Sequence, residues 1–215
     1  GLRPRLPWAA ALPRFKKDPT PILPILSTLR DDSSLYVRKS VANNLNDISK
    51  DHPDTVLRLA ELWAGQSPRT DWIIKKGLRT LLKQGDPRAL ALFSYAPAAT
   101  ESPLFSDARL TLHPPACALG EECELAYEIL IPEGEERLLR LAYVIDFVRK
   151  GKAVHPKQYQ LGDRKAPGGA HLTGKKKHSF KALSTRKHYP GMHRVTLLIN
   201  GQPAAEAWLS LGDGA

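Results

Sequence analysis

One face of a helix predicted over residues 34–50 combines side chains that could act together on a cationic group. At 100° per residue, Tyr36, Ser40, Asn43 and Asp47 form a stripe at positions i, i+4, i+7 and i+11. A carboxylate can stabilise a developing positive charge and position water, and an aromatic ring can contact a cation through its π face. Asp47 is therefore a candidate catalytic residue. The alternative is an ordinary exposed aspartate, or one that caps a neighbouring turn.

A second predicted helix, beginning at Thr70 or Asp71 and ending at Gln84, carries a row of cations. Helix surfaces stabilised by ion pairs normally interleave the two signs, whereas this row contains no acidic residue. Such a face suits the phosphates of a polyanion, because each contact releases counterions. The alternative is a solvated basic surface. The row consists of Lys75, Lys76, Arg79 and Lys83.

Two further segments add cations. Arg3, Arg5 and Trp8 share a proline-stiffened stretch that suits gripping a nucleic-acid backbone and stacking on a base, although a lone tryptophan is also a common packing residue. Residues 149–194 hold 13 Lys and Arg against the single acidic residue Asp163, which predicts a binding surface in loops or an exposed strand. The remaining candidate contacts to a nucleic acid are Tyr36, Arg38, Lys39, Asn43, Lys175, Lys176, Lys177 and Arg186.

The composition favours a polyanionic partner. The 215 residues carry a formal net charge of +10, although a basic protein without a nucleic-acid role remains the alternative. No run of 18 apolar residues and no signal-peptide pattern occurs, so we expect no membrane partner and a cytoplasmic protein. Cys117 and Cys123 form no disulfide framework. The seven histidines show no metal-ligand spacing, and we expect neither a metal nor an organic cofactor.

The two predicted helices are copies of one pattern, about 36 residues apart, and this period is typical of stacked helical pairs. One copy starts at Tyr36 and closes at Pro53, and the other starts at Trp72 and closes at Pro87. Residues 54–65 and a short stretch from Pro87 predict further helices. We therefore expect a HEAT-like helical repeat domain over residues 1–97.

Beyond a linker predicted over residues 98–105, apolar residues alternate with polar ones, as in strands. The alternation covers residues 123–131 and 139–147, and Asn200-Gly201 is a strong hairpin signal between two further runs. Residues 106–215 are expected to form an immunoglobulin-like antiparallel β-sandwich. The predicted fold class is thus an α-solenoid fragment followed by an all-β domain.

Several segments match motifs of a known family. They are Arg3–Trp8 (Arg-Pro-Arg-Leu-Pro-Trp), Tyr36–Pro53 with its Asn-Asn-Leu-Asn-Asp-Ile motif, Trp72–Pro87, and the basic stretches Lys176–Lys181 and Thr185–Lys187. Together they resemble the AlkC branch of HEAT-like-repeat DNA alkylation repair glycosylases, some of which carry a C-terminal immunoglobulin-like domain. The resemblance covers nearly the whole chain.

The resemblance implies a helical solenoid with a concave DNA-binding face. It also implies hydrolysis of the N-glycosidic bond of cationic alkylated bases during base excision repair, with 3-methylcytosine, 1-methyladenine and 3-methyladenine as substrates. Asp47 then corresponds to the catalytic carboxylate, and Trp8 to the aromatic residue that follows Arg-Pro-Arg-Leu-Pro. The expected partner is alkylated duplex DNA, and the expected setting is a monomer at the bacterial nucleoid.

One departure concerns the start of the chain. Family members have further repeats before the Arg-Pro-Arg-Leu-Pro-Trp motif, and those repeats supply two acidic residues upstream of the position of Gly1. We therefore expect the sequence to be the C-terminal part of a longer protein, and the activity of this part alone is a question for experiment. The alternative functions are a DNA-binding module without chemistry and a HEAT-like protein-interaction scaffold.

Overall fold

The computed structural model describes residues 2–6, 8–96, 103–150, 153–182 and 187–213. The chain divides into a helical unit, Gly1–Phe93, and a strand unit, Ser94–Ala215. Most of the predicted linker, residues 98–105, lies outside the described residues.

The helical unit consists of seven described α-helices and one 3₁₀ turn. Its two longest helices, α3 and α4, confirm the helices predicted over 34–50 and 54–65. None of the helices described in the chain is long and apolar enough to cross a membrane. The elements are α1 (Pro13–Lys17), the 3₁₀ turn (Thr20–Ile22), α2 (Leu23–Thr28), α3 (Leu35–Ile48), α4 (Pro53–Trp63), α5 (Pro68–Gly77), α6 (Arg79–Gln84) and α7 (Pro87–Ala91).

The second predicted helix is two helices, α5 and α6, so the prediction of one continuous helix is wrong. The cap is also earlier than predicted, because Ser67 Oγ accepts a hydrogen bond from the backbone N–H of Thr70 at 3.1 Å. Leu78, with φ −86° and ψ 6°, lies between the two helices. The predicted end at Gly85 is confirmed, since this residue adopts a φ of 75°.

The close packing of α5 on α3 accompanies this break. A Cβ atom on Gly77 would lie 3.0 Å from Leu45 Cβ. Gly77 therefore allows an approach that a larger residue would resist, at a position where glycine also weakens the helix. Leu45 itself is buried in the core of the helical unit, with Val41 and Ile48 on the same face of α3.

Several hydrogen bonds have the spacing of the predicted repeat, and one of them, between Asn43 and Arg79, joins the two helical copies. Hydrogen bonds join residues that are 36 positions apart: Arg30 to Gln66 at 3.2 Å, Ser67 to Asp31 at 2.7 Å and Arg79 to Asn43 at 3.0 Å. His52 Nε2 and the Lys16 carbonyl oxygen form another such pair at 2.7 Å. Because each bond has the spacing of the predicted repeat, segments one repeat period apart lie against each other in register.

The strand unit has two sheets that share one hydrophobic core. The three-stranded sheet has the order β1-β3-β6, and the five-stranded sheet has the order β2-β8-β7-β4-β5. The strands are β1 (Asp107–His113), β2 (Ala116–Ala118), β3 (Glu122–Leu130), β4 (Arg137–Val148), β5 (Val154–Ala166), β6 (His171–Ser179), β7 (Gly191–Ile199) and β8 (Gln202–Gly212).

The predicted alternation and hairpin are confirmed. Cys123, Leu125, Tyr127 and Ile129 of β3 all point into the core. The β7–β8 hairpin turns at Asn200 and Gly201, which have φ values of 50° and 83°.

One strand pair departs from the predicted antiparallel pattern. β2 pairs with β8 in parallel, with Ala116 opposite Ser210. β2 follows β1 after two residues, so the chain changes sheets here and joins the edge of the five-stranded sheet in the direction of β8.

Candidate active site

Asp47 lies in the last turn of α3, in a stretch where nearly every side chain is buried. It is 2% exposed, and no other Asp or Glu among the described residues is in the buried class. A buried carboxylate requires a compensating charge or hydrogen bonds, because removing it from water is costly. The alternative of an ordinary exposed aspartate is therefore excluded.

Two cations compensate the carboxylate, one at each oxygen. Arg3 donates from Nε to Asp47 Oδ2 at 2.8 Å, and its Nη2 lies 2.7 Å from the same oxygen. Lys50 Nζ lies 3.2 Å from Oδ1. The side chains of Arg3 and Lys50 are 20% and 38% exposed, so both cations reach solvent while the carboxylate that they contact does not.

Arg5 attaches the N-terminal segment to the end of α3. Its two terminal nitrogens form a fork with the carboxylate of Asp51, at 2.5 and 2.6 Å, and Nη1 also donates to the Asp47 carbonyl oxygen at 2.9 Å. The hydrogen bonds from Arg5 lower the pKa of Asp51, and the same bonds raise the pKa of Arg5. Both side chains are thus held charged, with a geometry typical of strong arginine–carboxylate pairs.

Arg79, at the start of α6, adds a further cation to this region. Its Nη2 donates to Asn43 Oδ1 at 3.0 Å and its Nη1 to the Lys76 carbonyl oxygen at 2.7 Å. Burial lowers the pKa of Arg79, the negative charge of Asp47 opposes that shift, and the positive charge of Arg3 adds to it. Arg79 therefore belongs electrostatically to the same cluster.

The predicted polar stripe is not uniform along α3. Tyr36 at its first turn is 83% exposed, and Ser40 is also exposed. Asn43 is half-buried, and Asp47 is buried. The stripe thus runs from an open aromatic ring to an enclosed carboxylate, and Asn43 is its link to Arg79.

Trp8 is 98% exposed, so it is not a packing residue of the helical unit. Its side chain is available to a partner, and its role in a reaction stays a prediction. Tyr36 shares this degree of exposure on α3.

The cations predicted to bind phosphates differ in their surroundings. Lys76 and Lys83 are exposed on α5 and α6, and Lys75 is exposed with Nζ 5.9 Å from the centre of the Phe93 ring. Lys39 is exposed on α3. Arg38 instead donates from Nη1 to the carbonyl oxygens of residues 32 and 33 at 2.8 and 2.7 Å, which braces the turn before α3.

In the strand unit, part of the basic segment predicted over residues 149–194 forms β6, an edge strand of the three-stranded sheet. Lys175, Lys176 and Lys177 are all exposed there, and Lys175 Nζ lies 2.9 Å from Glu124 Oε1. Arg186 lies outside the described residues. Within the described part of the chain, no three His, Cys, Asp or Glu side chains are grouped as metal ligands would be.

Sequence reasoning missed the role of the residues that hold Asp47. Lys50 and Asp51 follow α3 directly, and neither was included among the candidate site residues. The sequence does contain a usable signal. Arg3 and Arg5 lie two positions apart in an extended segment, and this spacing suits pairing with two aspartates one helical turn apart, Asp47 and Asp51. Asn46 was also missed: its Oδ1 accepts hydrogen bonds from Thr80 N and Oγ1 at 3.2 and 2.9 Å and so fixes α3 against α6.

Residues 106–213 match the family model described as uncharacterised protein YhaZ, C-terminal Ig-like domain. The chain belongs to this family. Its match to the uncharacterised protein YhaZ of Bacillus subtilis (strain 168) extends further, with 46% identity over 202 residues, covering 94% of this chain and 55% of that protein.

A solved structure of a DNA glycosylase is similar to this chain over nearly its whole length. The chain is similar to the alkylpurine DNA glycosylase AlkC of Pseudomonas fluorescens, solved bound to DNA containing an abasic site analogue. The identity is 38% and the TM-score 0.87, covering 97% of this chain and 57% of that one. The resemblance to the AlkC type is confirmed, and the chain spans a little more than half the length of either relative.

Proposed function

We propose that the protein is a DNA glycosylase that hydrolyses the N-glycosidic bond of cationic alkylated bases. One observation carries this proposal. The single buried carboxylate among the described residues, Asp47, lies within a cluster of cations in a chain that is 38% identical to AlkC along 97% of its length. The segments that lie in register one repeat period apart correspond, in this proposal, to HEAT-like repeats.

The chemistry follows from the charge of the substrate. A base alkylated on a ring nitrogen is already a cation, so it leaves without strong general-acid assistance. The sugar then develops positive charge at the carbon that loses the base. Asp47 stabilises that charge and orients the attacking water, which requires neither a metal nor an organic cofactor.

The surrounding residues bind the DNA. Lys76, Lys83 and Arg79 bind phosphates on one side of the helical unit, and the exposed rings of Trp8 and Tyr36 contact the lesion or its sugar. The basic strand β6 is a second phosphate-binding surface. The proposed substrates are 3-methylcytosine, 1-methyladenine and 3-methyladenine, which share a positive charge on the alkylated base.

A base-release assay on methylated duplex DNA tests the proposal. Replacing Asp47→Asn in the longest natural form of the protein is expected to slow release by about 100-fold or more, the usual scale for a lost electrostatic contact to a transition state. Asp54→Asn removes an equally charged residue from α4, where it pairs with Arg88, and serves as the control. Unchanged release by a folded Asp47→Asn protein would contradict the role of Asp47.

The same assay separates the alternatives. A DNA-binding module without chemistry predicts salt-dependent binding and no release by the wild-type protein. A protein-interaction scaffold predicts no DNA binding even at low salt. Comparing the 215-residue chain with an N-terminally extended form shows whether further residues are needed for activity.

A further inference from the structure

The carboxylate of Asp47 is more deeply buried than the two cations that pair with it. The Asp47 side chain is 3% exposed, whereas those of Arg3 and Lys50 are 20% and 38% exposed. The two cations are thus the solvent-accessible members of the cluster, and the carboxylate is its enclosed member. Each cation contacts a different carboxylate oxygen, so both oxygens already have a positively charged partner.

This arrangement conflicts with the chemistry assigned to Asp47. One carboxylate with two cations has a net charge of +1. Arg79, which donates to Asn43 one turn before Asp47 on α3, adds positive charge nearby. A cationic base and a cationic sugar would both be repelled by such a cluster. For Asp47 to stabilise a positive charge on the substrate, at least one of its cations has to be drawn to another anion.

We propose that Arg3 and Lys50 form a cation clamp on Asp47 and that, in the complex with DNA, backbone phosphates replace the Asp47 carboxylate as the partner of these two cations. DNA binding itself then exposes the carboxylate. The inference rests on the proposed function, since it takes DNA as the partner. Guanidinium and ammonium groups bind phosphate as readily as carboxylate, and the duplex delivers phosphates at a fixed spacing from the sugar.

Because of Arg5, the exchange requires only a side-chain movement of Arg3. Its fork with Asp51 and its bond to the Asp47 carbonyl oxygen attach the N-terminal segment to α3 independently of Arg3. Arg3 can therefore swing from carboxylate to phosphate while the backbone beside it stays in place. Lys50 has the same freedom. Its ammonium group is carried on a flexible side chain that starts three residues after Asp47, so it can turn from the carboxylate to a nearby phosphate.

In this exchange, Asp47 and the DNA phosphates compete for Arg3 and Lys50. A binding experiment detects the competition without any catalysis. The probe is a labelled duplex containing an abasic site analogue, titrated with the longest natural form of the protein. Asp47→Asn is expected to tighten binding about threefold to tenfold, because no ion pair has to be broken. In an Arg3→Met, Lys50→Met background, the same substitution is expected to give no gain.

The salt dependence of binding gives a second readout. Arg3→Met and Lys50→Met are each expected to flatten the slope of log K against log salt by about 0.9, the value of one lost phosphate contact. Arg58→Met, an exposed cation of α4, is the control that should leave the slope unchanged, and Asp54→Asn is the matched control for the gained affinity.

Two results would overturn the clamp. One is a gain in DNA affinity from Asp47→Asn that persists in the Arg3→Met, Lys50→Met background, since that gain would reflect only the loss of one negative charge. The other is an unchanged salt slope in both cation variants, since Arg3 and Lys50 would then stay on Asp47 in the complex. Absence of base release together with an intact binding cycle would refute the proposed function while leaving the clamp standing.

Discussion

Arg3 Nη2 lies 2.7 Å from Asp47 Oδ2, which joins two residues 44 positions apart in the chain. The irregular segment around Arg3 is thereby part of the same site as the last turn of α3. Two motifs that are separate in sequence, Arg-Pro-Arg-Leu-Pro-Trp and Asn-Asn-Leu-Asn-Asp-Ile, form one structural unit through this ion pair and through Arg5.

The Arg5–Asp51 fork is expected to stabilise the helical unit more than the other arginine pairs on its surface. A double-mutant cycle with Arg5→Met and Asp51→Asn should give a coupling free energy of about 1 kcal/mol, at the upper end for ion pairs near a surface. The side chains of Arg5 and Asp51 are 30% and 27% exposed, whereas those of Arg88 and Asp54 are 43% and 74% exposed. A second cycle with Arg88→Met and Asp54→Asn is the comparison, and denaturant unfolding followed by far-UV circular dichroism measures both. Equal coupling in the two would contradict the importance of the fork.

Gly77→Ala is expected to destabilise the helical unit by about 1–3 kcal/mol, the usual cost of overpacking. At an unhindered helix position the same change stabilises by up to about 1 kcal/mol, so the sign of the effect is the test. The reason for destabilisation is that the new Cβ would lie 3.0 Å from Leu45 Cβ, where α5 packs on α3. A stabilised Gly77→Ala protein in thermal or urea unfolding would show that α3 and α5 separate easily.

Local signals in the sequence predicted much of the fold. The core face of α3, the end of α6 at Gly85 and the hairpin at Asn200 all depend on periodicity or turn chemistry within a few residues. The β2–β8 pair could not be predicted in this way, because three residues carry no usable alternation and the partner strand lies far along the chain.

The site was predicted only in outline. Helical periodicity places Asp47 on a polar face, but its ion pair with Arg3 is a tertiary contact that no helical period encodes. The continuous helix predicted through Leu78 failed for a similar reason. The favourable residues on either side suggested one helix, whereas α5 ends at Gly77, where it packs closely on Leu45.

Acid is expected to destabilise the strand unit through His178. This side chain is packed among Tyr143, Tyr159 and Phe180, with Nδ1 2.9 Å from Tyr143 Oη. Burial lowers the pKa of His178 to about 4, with smaller contributions from His188 and Lys176.

The sign follows from the unfolded chain, which binds the proton near pH 6.5. Above that pH, both states are neutral at His178 and its contribution is constant. As the pH falls from about 6.5 to about 4, the unfolded state is protonated first, and stability should fall by about 3 kcal/mol in total. Urea unfolding of the strand unit across this range, compared with a His178→Gln variant, measures the effect. An equally steep fall in the variant would assign the acid sensitivity to other groups.

The three lysines of β6 are expected to contribute unequally to DNA binding. Lys175 is paired with Glu124 at 2.9 Å, and this contact lowers the pKa of Glu124 and keeps it charged. Lys177→Met should therefore flatten the salt slope of duplex binding by about 0.9, and Lys175→Met by less, because Glu124 competes for its ammonium group. In a Glu124→Gln background the competitor is gone, so overall affinity should rise and Lys175→Met should become as costly as Lys177→Met. Identical slopes for all the variants and the wild type would remove β6 from the DNA-binding surface.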